Sequence, residues 1–117
     1  MQNSFLVLAQ RKKKLKCERF LEEMNKVIPW KDFIEEINPF YKEKELGRKK
    51  TNLKILLKIY FLQQWNNLSD PGVEEAIYDR NSFQKFLEID LLFKNVPDET
   101  TILNFRHLLE KNELQKY

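Results

Sequence analysis

The stretch from Thr51 to Asn67 is apolar on almost every side when it is drawn as a helix. An apolar residue occurs on one face or the other at nearly every turn: Leu53, Leu56, Leu57, Tyr60, Phe61, Trp65 and Leu68 mark one face, and Ile55, Ile59 and Leu62 another. A helix that is hydrophobic all round is found in the interior of a protein, where other elements cover it. The stretch therefore predicts a central helix, and the rest of the chain must supply its neighbours.

The chain's 117 residues are enough for one domain. Only two glycines, Gly47 and Gly72, are present, which is too few for a Gly-rich phosphate loop, a dinucleotide fingerprint or a many-turned β-sandwich. We expect an all-α fold, a compact multi-helix domain over residues 17–117 preceded by a basic arm at residues 1–16. The longest apolar run, residues 5–9, is far shorter than the roughly 20 residues of a membrane span, so no membrane contact is expected.

Prolines mark the predicted ends of the helices, because proline disrupts a helix interior. All four of them, Pro29, Pro39, Pro71 and Pro97, fall between periodic segments. The segments predict helices at about 14–27, 30–37 and 51–67, one beginning at Asp70-Pro71, and two more at 82–89 and 98–111. Residues 41–50 are expected to be a polar loop. Side chains able to cap a helix N-terminus are Asp70, Ser82 and Asp98.

The chain has one cysteine and one histidine, which limits the chemistry that it can support. Zinc requires three or four ligands, and a lone cysteine closes no internal disulfide, as is typical of a protein in a reducing cytosol. Cys17 is expected to be a buried or half-buried thiol in the apolar stripe of the first helix. The acidic residues fit helix N-termini and solvated faces. We therefore predict no catalytic residue, no metal site and no small-molecule substrate.

Charge is distributed unevenly along the chain. Residues 1–58 contain 15 Lys and Arg against 8 Asp and Glu, a net of +7, whereas residues 59–117 contain 6 against 10, a net of −4. The positive charge forms two clusters, one of Arg11, Lys12, Lys13, Lys14 and Lys16 and one of Arg48, Lys49 and Lys50. Such clusters are typical of proteins that bind a polyanion, although a solvated terminus and a solvated loop would also account for them.

The last predicted helix has two distinct faces. Ile102, Phe105, Leu108 and Leu109 share an apolar face, and the opposite face consists of Thr100, Asn104, His107 and Lys111, with Thr101 and Arg106 beside it. These polar side chains can contact base edges or phosphates, or they can form an ordinary solvated face. Together with the helix at 82–89, this helix resembles the second half of a helix-turn-helix unit, but with a longer connection than usual.

A series of segments along nearly the whole chain resembles the amino-terminal region of bacterial insertion-sequence transposases of the InsH type, in order and with the family's spacing. The segments are Glu18-Arg19-Phe20-Leu21-Glu22-Glu23-Met24, Ile28-Pro29-Trp30, Pro39-Phe40-Tyr41, Gly47-Arg48, Leu57-Lys58-Ile59-Tyr60-Phe61-Leu62-Gln63-Gln64-Trp65, Asn67-Leu68-Ser69-Asp70-Pro71, Glu74-Glu75-Ala76-Ile77-Tyr78-Asp79 and Val96-Pro97-Asp98-Glu99-Thr100-Thr101-Ile102-Leu103-Asn104-Phe105-Arg106-His107-Leu108-Leu109-Glu110.

The resemblance implies a helical region that recognises the terminal inverted repeats of an insertion sequence, in double-stranded DNA. It also implies that a separate RNase H-like domain cuts and joins the DNA with three carboxylates, the first of which lies beyond the segment that corresponds to Glu110. We therefore expect this chain to bind DNA without catalysing, in a bacterial cytoplasm at the nucleoid. A divalent metal, most simply magnesium, is implied only for the catalytic domain, and no cofactor is expected in this chain.

A second interpretation is a protein-interaction module that dimerises transposase subunits, with basic segments that only keep it soluble. The two interpretations differ in what the surface should show. A DNA-binding domain should gather its basic clusters and the polar face of the last helix on one side, whereas a dimerisation module should expose an apolar patch.

Overall fold

The computed structural model describes residues 16–43 and 52–112. This part of the chain contains six helices and no strand: α1 (Lys16–Val27), α2 (Trp30–Glu43), α3 (Leu53–Asn66), α4 (Asp70–Asp79), α5 (Asn81–Leu87) and α6 (Glu99–Lys111). The all-α prediction is confirmed. The expected basic arm lies outside the described residues, apart from Lys16, which begins α1.

Helix α3 is the centre of the fold, as its sequence predicts. It packs against α2, α4, α5 and α6, and half of its 14 residues are buried, namely Leu53, Leu56, Leu57, Lys58, Ile59, Leu62 and Gln63. Its aromatic residues extend the core outward. The centre of the Phe61 ring lies 5.4 Å from the ring centres of both Trp30 and Trp65. Rings at this separation attract one another beyond the effect of burial alone, so the aromatic residues join α2 to α3.

Lys58 is the exception to the apolar pattern of α3. Its side chain is only 1% exposed, and its Nζ donates a hydrogen bond of 2.7 Å to the carbonyl oxygen of Phe86 near the end of α5. The same nitrogen lies 5.3 Å from the ring centre of Trp30 and 5.0 Å from that of Phe86, which places a cation against two aromatic rings. Burial lowers the pKa of Lys58, because the interior disfavours the charged form.

The prediction that all four prolines lie between helices is wrong for Pro39, which lies inside α2. This helix continues to Glu43 and so includes the first three residues of the expected loop 41–50. The interior proline removes one helical hydrogen bond at a cost of about 3 kcal/mol. Continuing the helix keeps Phe40 and Tyr41 against the core, with the Tyr41 ring 6.3 Å from that of Phe105, and this packing offsets the cost.

Two of the predicted N-caps are wrong. The cap of α4 is Ser69, whose hydroxyl accepts from the backbone N–H of Gly72, so Asp70 is the first residue of the helix and its carboxylate is available for other partners. A Cβ at Gly72 would lie 2.8 Å from the Ser69 Oγ, so a larger residue there would displace the capping hydroxyl. Helix α5 begins one residue before Ser82, at Asn81, without a side-chain cap.

The predicted burial of Cys17 is also wrong, because the thiol is exposed. Within the described part of the chain, the backbone of α1 approaches only α5, and Leu21 is the one buried residue of α1. Cys17 in the first turn lies outside this narrow contact. Phe20 and Val27, which belong to the same predicted apolar stripe, are exposed as well.

Candidate nucleic-acid interface

Helix α6 has the two faces that its sequence predicts. Its N-cap is Asp98, whose Oδ1 accepts from the backbone N–H of Thr101 at 2.8 Å, and this bond lowers the pKa of Asp98. The apolar face is buried, with Ile102, Phe105, Leu108 and Leu109 each at most 4% exposed. The polar face is exposed at all four of its positions, Thr100, Asn104, His107 and Lys111. These side chains are therefore accessible to a partner.

Arg106 has a structural role that sequence analysis did not anticipate. Its Nη2 lies 2.8 Å from the Asp70 Oδ2 and its Nε lies 3.2 Å from the Oδ1, a bidentate pair that joins α6 to the first turn of α4. Its Nη1 also donates to Glu110, one turn further along α6, at 3.2 Å. The hydrogen bond from Arg106 lowers the pKa of Asp70. A contact from Arg106 to phosphate or guanine would have to use the guanidinium N–H groups that these bonds leave over.

Gln63 extends this network into the centre of the molecule. Its Nε2 donates to the Asp70 Oδ1 at 2.8 Å and to the carbonyl oxygen of Leu68 at 3.3 Å, and its side chain is nearly buried. Asp70 thus binds α3, α4 and α6 together. Because a bidentate pair of arginine and carboxylate has strict geometry, the network fixes the rotation of α6 and the direction in which its polar face points.

The N-terminus of α6 is surrounded by carboxylates. Glu74 of α4 accepts the backbone N–H of Glu99 at 2.7 Å, and Asp98 occupies the cap. Acidic groups are stabilised at the positive end of a helix dipole, but they repel a phosphate. Thr101 is half-buried beside Asp98, and its N–H donates to that carboxylate. In the first turn of α6, the N–H groups of Glu99 and Thr101 are thus bound by carboxylates of the protein.

The expected helix-turn-helix pairing of α5 with α6 is not formed. The backbones of the two helices do not approach one another, and 11 residues separate Leu87 from Glu99. Val96 is buried and anchors this connection in the core, so α6 packs instead against α2, α3 and α4. The connection is too long to hold two helices together as a tight turn does.

Most of the predicted basic residues lie outside the described ranges. These are Arg11, Lys12, Lys13, Lys14, Arg48, Lys49 and Lys50; Lys16 is described and is exposed on α1. Of the chain's charged residues, the described ranges contain 12 Lys and Arg against 16 Asp and Glu, a net of −4. The helical body is therefore acidic, and the positive charge belongs to the segments that join or precede its helices.

Two further properties concern residues 16–43 and 52–112 alone. No three His, Cys, Asp or Glu side chains in these ranges come together as they would around a metal ion. None of the helices there combines the length and apolarity that a membrane span requires.

Sequence analysis located the exposed face of α6 but missed Lys58, Gln63 and Asp70 as the polar centres that organise the fold. A signal was present for Asp70, since Ser69 offers an alternative cap and leaves the carboxylate free. For Lys58 the signal was its position among apolar residues on every side of α3.

No solved structure matches this chain. Among protein families, the model of a transposase domain, DUF772, matches residues 9–108, a range that includes every helix described above except the last three residues of α6. The chain belongs to this family of transposase domains.

Proposed function

We propose that this domain is the DNA-binding region of an insertion-sequence transposase of the InsH type, and that it recognises the terminal inverted repeats of its element. Membership of a transposase domain family supports a role in transposition. The resemblance to InsH-type enzymes assigns cutting and joining, with their divalent metal, to a separate RNase H-like domain. The domain itself then needs no cofactor, and its place of action is the bacterial nucleoid.

The observation that most supports DNA recognition is the exposed face of α6. Asn104 lies at its centre and is exposed, and an asparagine amide can form two hydrogen bonds with the major-groove edge of adenine. His107 and Lys111 lie on the same face one and two turns further on. Helix α6 is 13 residues long and has one exposed face, and a helix is of a size that the major groove admits. The Asp70–Arg106 pair holds it in a fixed orientation.

Charge limits how this helix can approach DNA. Glu74, Asp98 and Glu99 at the N-terminus of α6 would repel a phosphate placed there. We therefore assign base contacts to the middle and C-terminal part of the helix, from Asn104 to Lys111. Phosphate contacts are assigned to the clusters at residues 11–16 and 48–50, because backbone contacts supply most of the non-specific affinity.

The test is binding of the full chain to a fluorescently labelled duplex that contains a terminal repeat of its element, in competition with a scrambled duplex of equal composition. Specific DNA-binding proteins prefer their site by about a thousandfold or more. The proposal predicts a preference of that order at physiological salt. Equal affinities for the two duplexes, or no binding to either, would contradict it.

Dimerisation of transposase subunits is the second candidate, and it is favoured by one observation. Leu92 and Phe93, in the connection between α5 and α6, are 86% and 84% exposed. Three hydrogen bonds to Asp90 from the backbone N–H groups of residues 92–94 order this turn, so the pair is presented to solvent. Sedimentation of the Leu92→Ser/Phe93→Ser variant tests this function. A dimer that dissociates in the variant would support it, and a monomeric parent chain would exclude it.

A further inference from the structure

Helix α1 exposes an apolar stripe that the described part of the molecule leaves uncovered. Val27 is 71% exposed and Phe20 is 43% exposed, and Cys17 is exposed at the start of the same helix. Phe20 and Val27 are seven residues apart, which is close to two full turns, so they lie on one side of the helix. The three residues together define the outer stripe of α1.

The inner side of α1 contacts the rest of the described structure. Leu21 is buried, and Glu18 pairs with Lys85 of α5 at 3.1 Å. Phe20 lies at the border of the inner side and the outer stripe, with its ring centre 5.0 Å from that of Trp65 in a T-shaped arrangement. These contacts fix which side of the helix faces outward. The outer stripe is therefore a fixed surface, about 15 Å long from Cys17 to Val27 at the rise of an α-helix.

The segment that precedes α1 has the chemistry to cover this stripe. Residues 5–9, Phe-Leu-Val-Leu-Ala, form the longest apolar run of the chain, and none of the first ten residues is Asp, Glu, Lys or Arg. Six residues separate this run from Lys16, so the intervening chain spans at most about 25 Å when extended. The run can therefore reach every part of the stripe. Attachment to α1 gives it a high effective concentration there, which a separate molecule lacks.

We propose that residues 5–9 pack along the outer stripe of α1, against Phe20 and Val27. The basic cluster Arg11 to Lys14 then forms a short surface connection held at both ends, by the packed run on one side and by α1 on the other. The cluster is presented at a defined place on the molecule instead of on a free arm. The proposal is independent of whether the domain binds DNA.

Cys17 reports on this contact directly, because it is the only cysteine in the chain. The experiment measures the rate at which a neutral maleimide labels the thiol in the full chain, in the variant Leu6→Ser/Leu8→Ser, and in the control Asn3→Ser. We expect the double variant to react at least fivefold faster than the parent chain, and the control to react at the parent rate. Equal rates in all three proteins would contradict the proposal.

A thermal double-mutant cycle makes the test independent of the thiol. Val27→Ser should lower the melting temperature by several degrees in the parent chain and leave it unchanged in the Leu6→Ser/Leu8→Ser background, since the contact is already lost there. A shift of equal size in both backgrounds would overturn the proposal. The proposal would also be overturned if Cys17 of the parent chain reacted slowly at high protein concentration and fast after dilution. A second copy of the chain would then be what covers the stripe.

Discussion

The Arg106 guanidinium and the Asp70 carboxylate form a bidentate pair, with the Arg106 Nη2 2.8 Å from the Asp70 Oδ2. The pair joins the middle of α6 to the first turn of α4, and Gln63 attaches the same carboxylate to α3. The direction of the polar face of α6 thus depends on a charged contact at the flank of the same helix. Asp70 therefore contributes to the proposed DNA recognition even though its side chain faces the protein.

Replacing Asp70 with Asn should destabilise the domain by about 1 to 3 kcal/mol, because it leaves the half-buried Arg106 without its main charged partner. Urea unfolding followed by circular dichroism measures this change in the free energy of unfolding. The matched control is Asp79→Asn, at the other end of α4, where the carboxylate is exposed. If both variants lose the same amount of stability, the pair with Arg106 is not what stabilises this region.

Asp70 should also account for part of the stability that the domain loses as the pH falls. Its pKa is lowered in the folded protein by the hydrogen bond from Arg106, so the folded state binds fewer protons than the unfolded state when the carboxyl group titrates. The stabilisation is complete above the ordinary carboxyl pKa of about 4 and is lost as the pH falls through the lower folded value. Asp98 contributes in the same direction. Melting curves from pH 6 to pH 2 should therefore show a smaller acid loss in Asp70→Asn than in the parent chain.

Lys58 should be replaceable by methionine. Lys58→Met keeps all but one heavy atom of the side chain's length and removes a buried charge, so we expect the free energy of unfolding at pH 7 to rise by about 1 kcal/mol. Lys58→Ala should lower it by about 2 kcal/mol or more through the cavity it creates. A loss of stability in Lys58→Met as large as in Lys58→Ala would show that the bond to the Phe86 carbonyl outweighs the cost of the buried charge.

The fold was predictable where one local pattern dominated. The central place of α3 followed from apolar residues on all its sides, and the faces of α6 followed from its helical spacing and from the cap at Asp98. Each of these features depends on residues close together in sequence. Local patterns of this kind are the part of a fold that a single sequence specifies best.

The errors occurred where tertiary contacts overrode the local pattern. Pro39 lies in a helix because Tyr41 packs beyond it, against Phe105. Cys17 is exposed because α1 lies at the edge of the body. The pairing of α5 with α6 was wrong because Val96 anchors the intervening chain in the core. Asp70, the main partner of Arg106, lies 36 residues away. None of these contacts is visible in sequence spacing.

The basic cluster before α1 should set the salt dependence of DNA binding. If Lys12, Lys13 and Lys14 each neutralise one phosphate, replacing all three with Ala should reduce the slope of log affinity against log salt by about 3, without changing sequence preference. Anisotropy titrations at several salt concentrations measure the slope. An unchanged slope in the triple variant would exclude this cluster from the interface.

The most direct test of the account is the sequence preference of Asn104→Ala. The variant should lose about 1 to 3 kcal/mol of discrimination, roughly a tenfold to hundredfold smaller preference for terminal-repeat over scrambled DNA, because a bidentate contact to one base is removed. Its non-specific affinity and circular dichroism spectrum should stay as in the parent chain. Gln64→Ala, which removes an exposed amide on α3, should leave the preference unchanged. An unaltered preference in both Asn104→Ala and His107→Ala would contradict the claim that α6 recognises the DNA sequence.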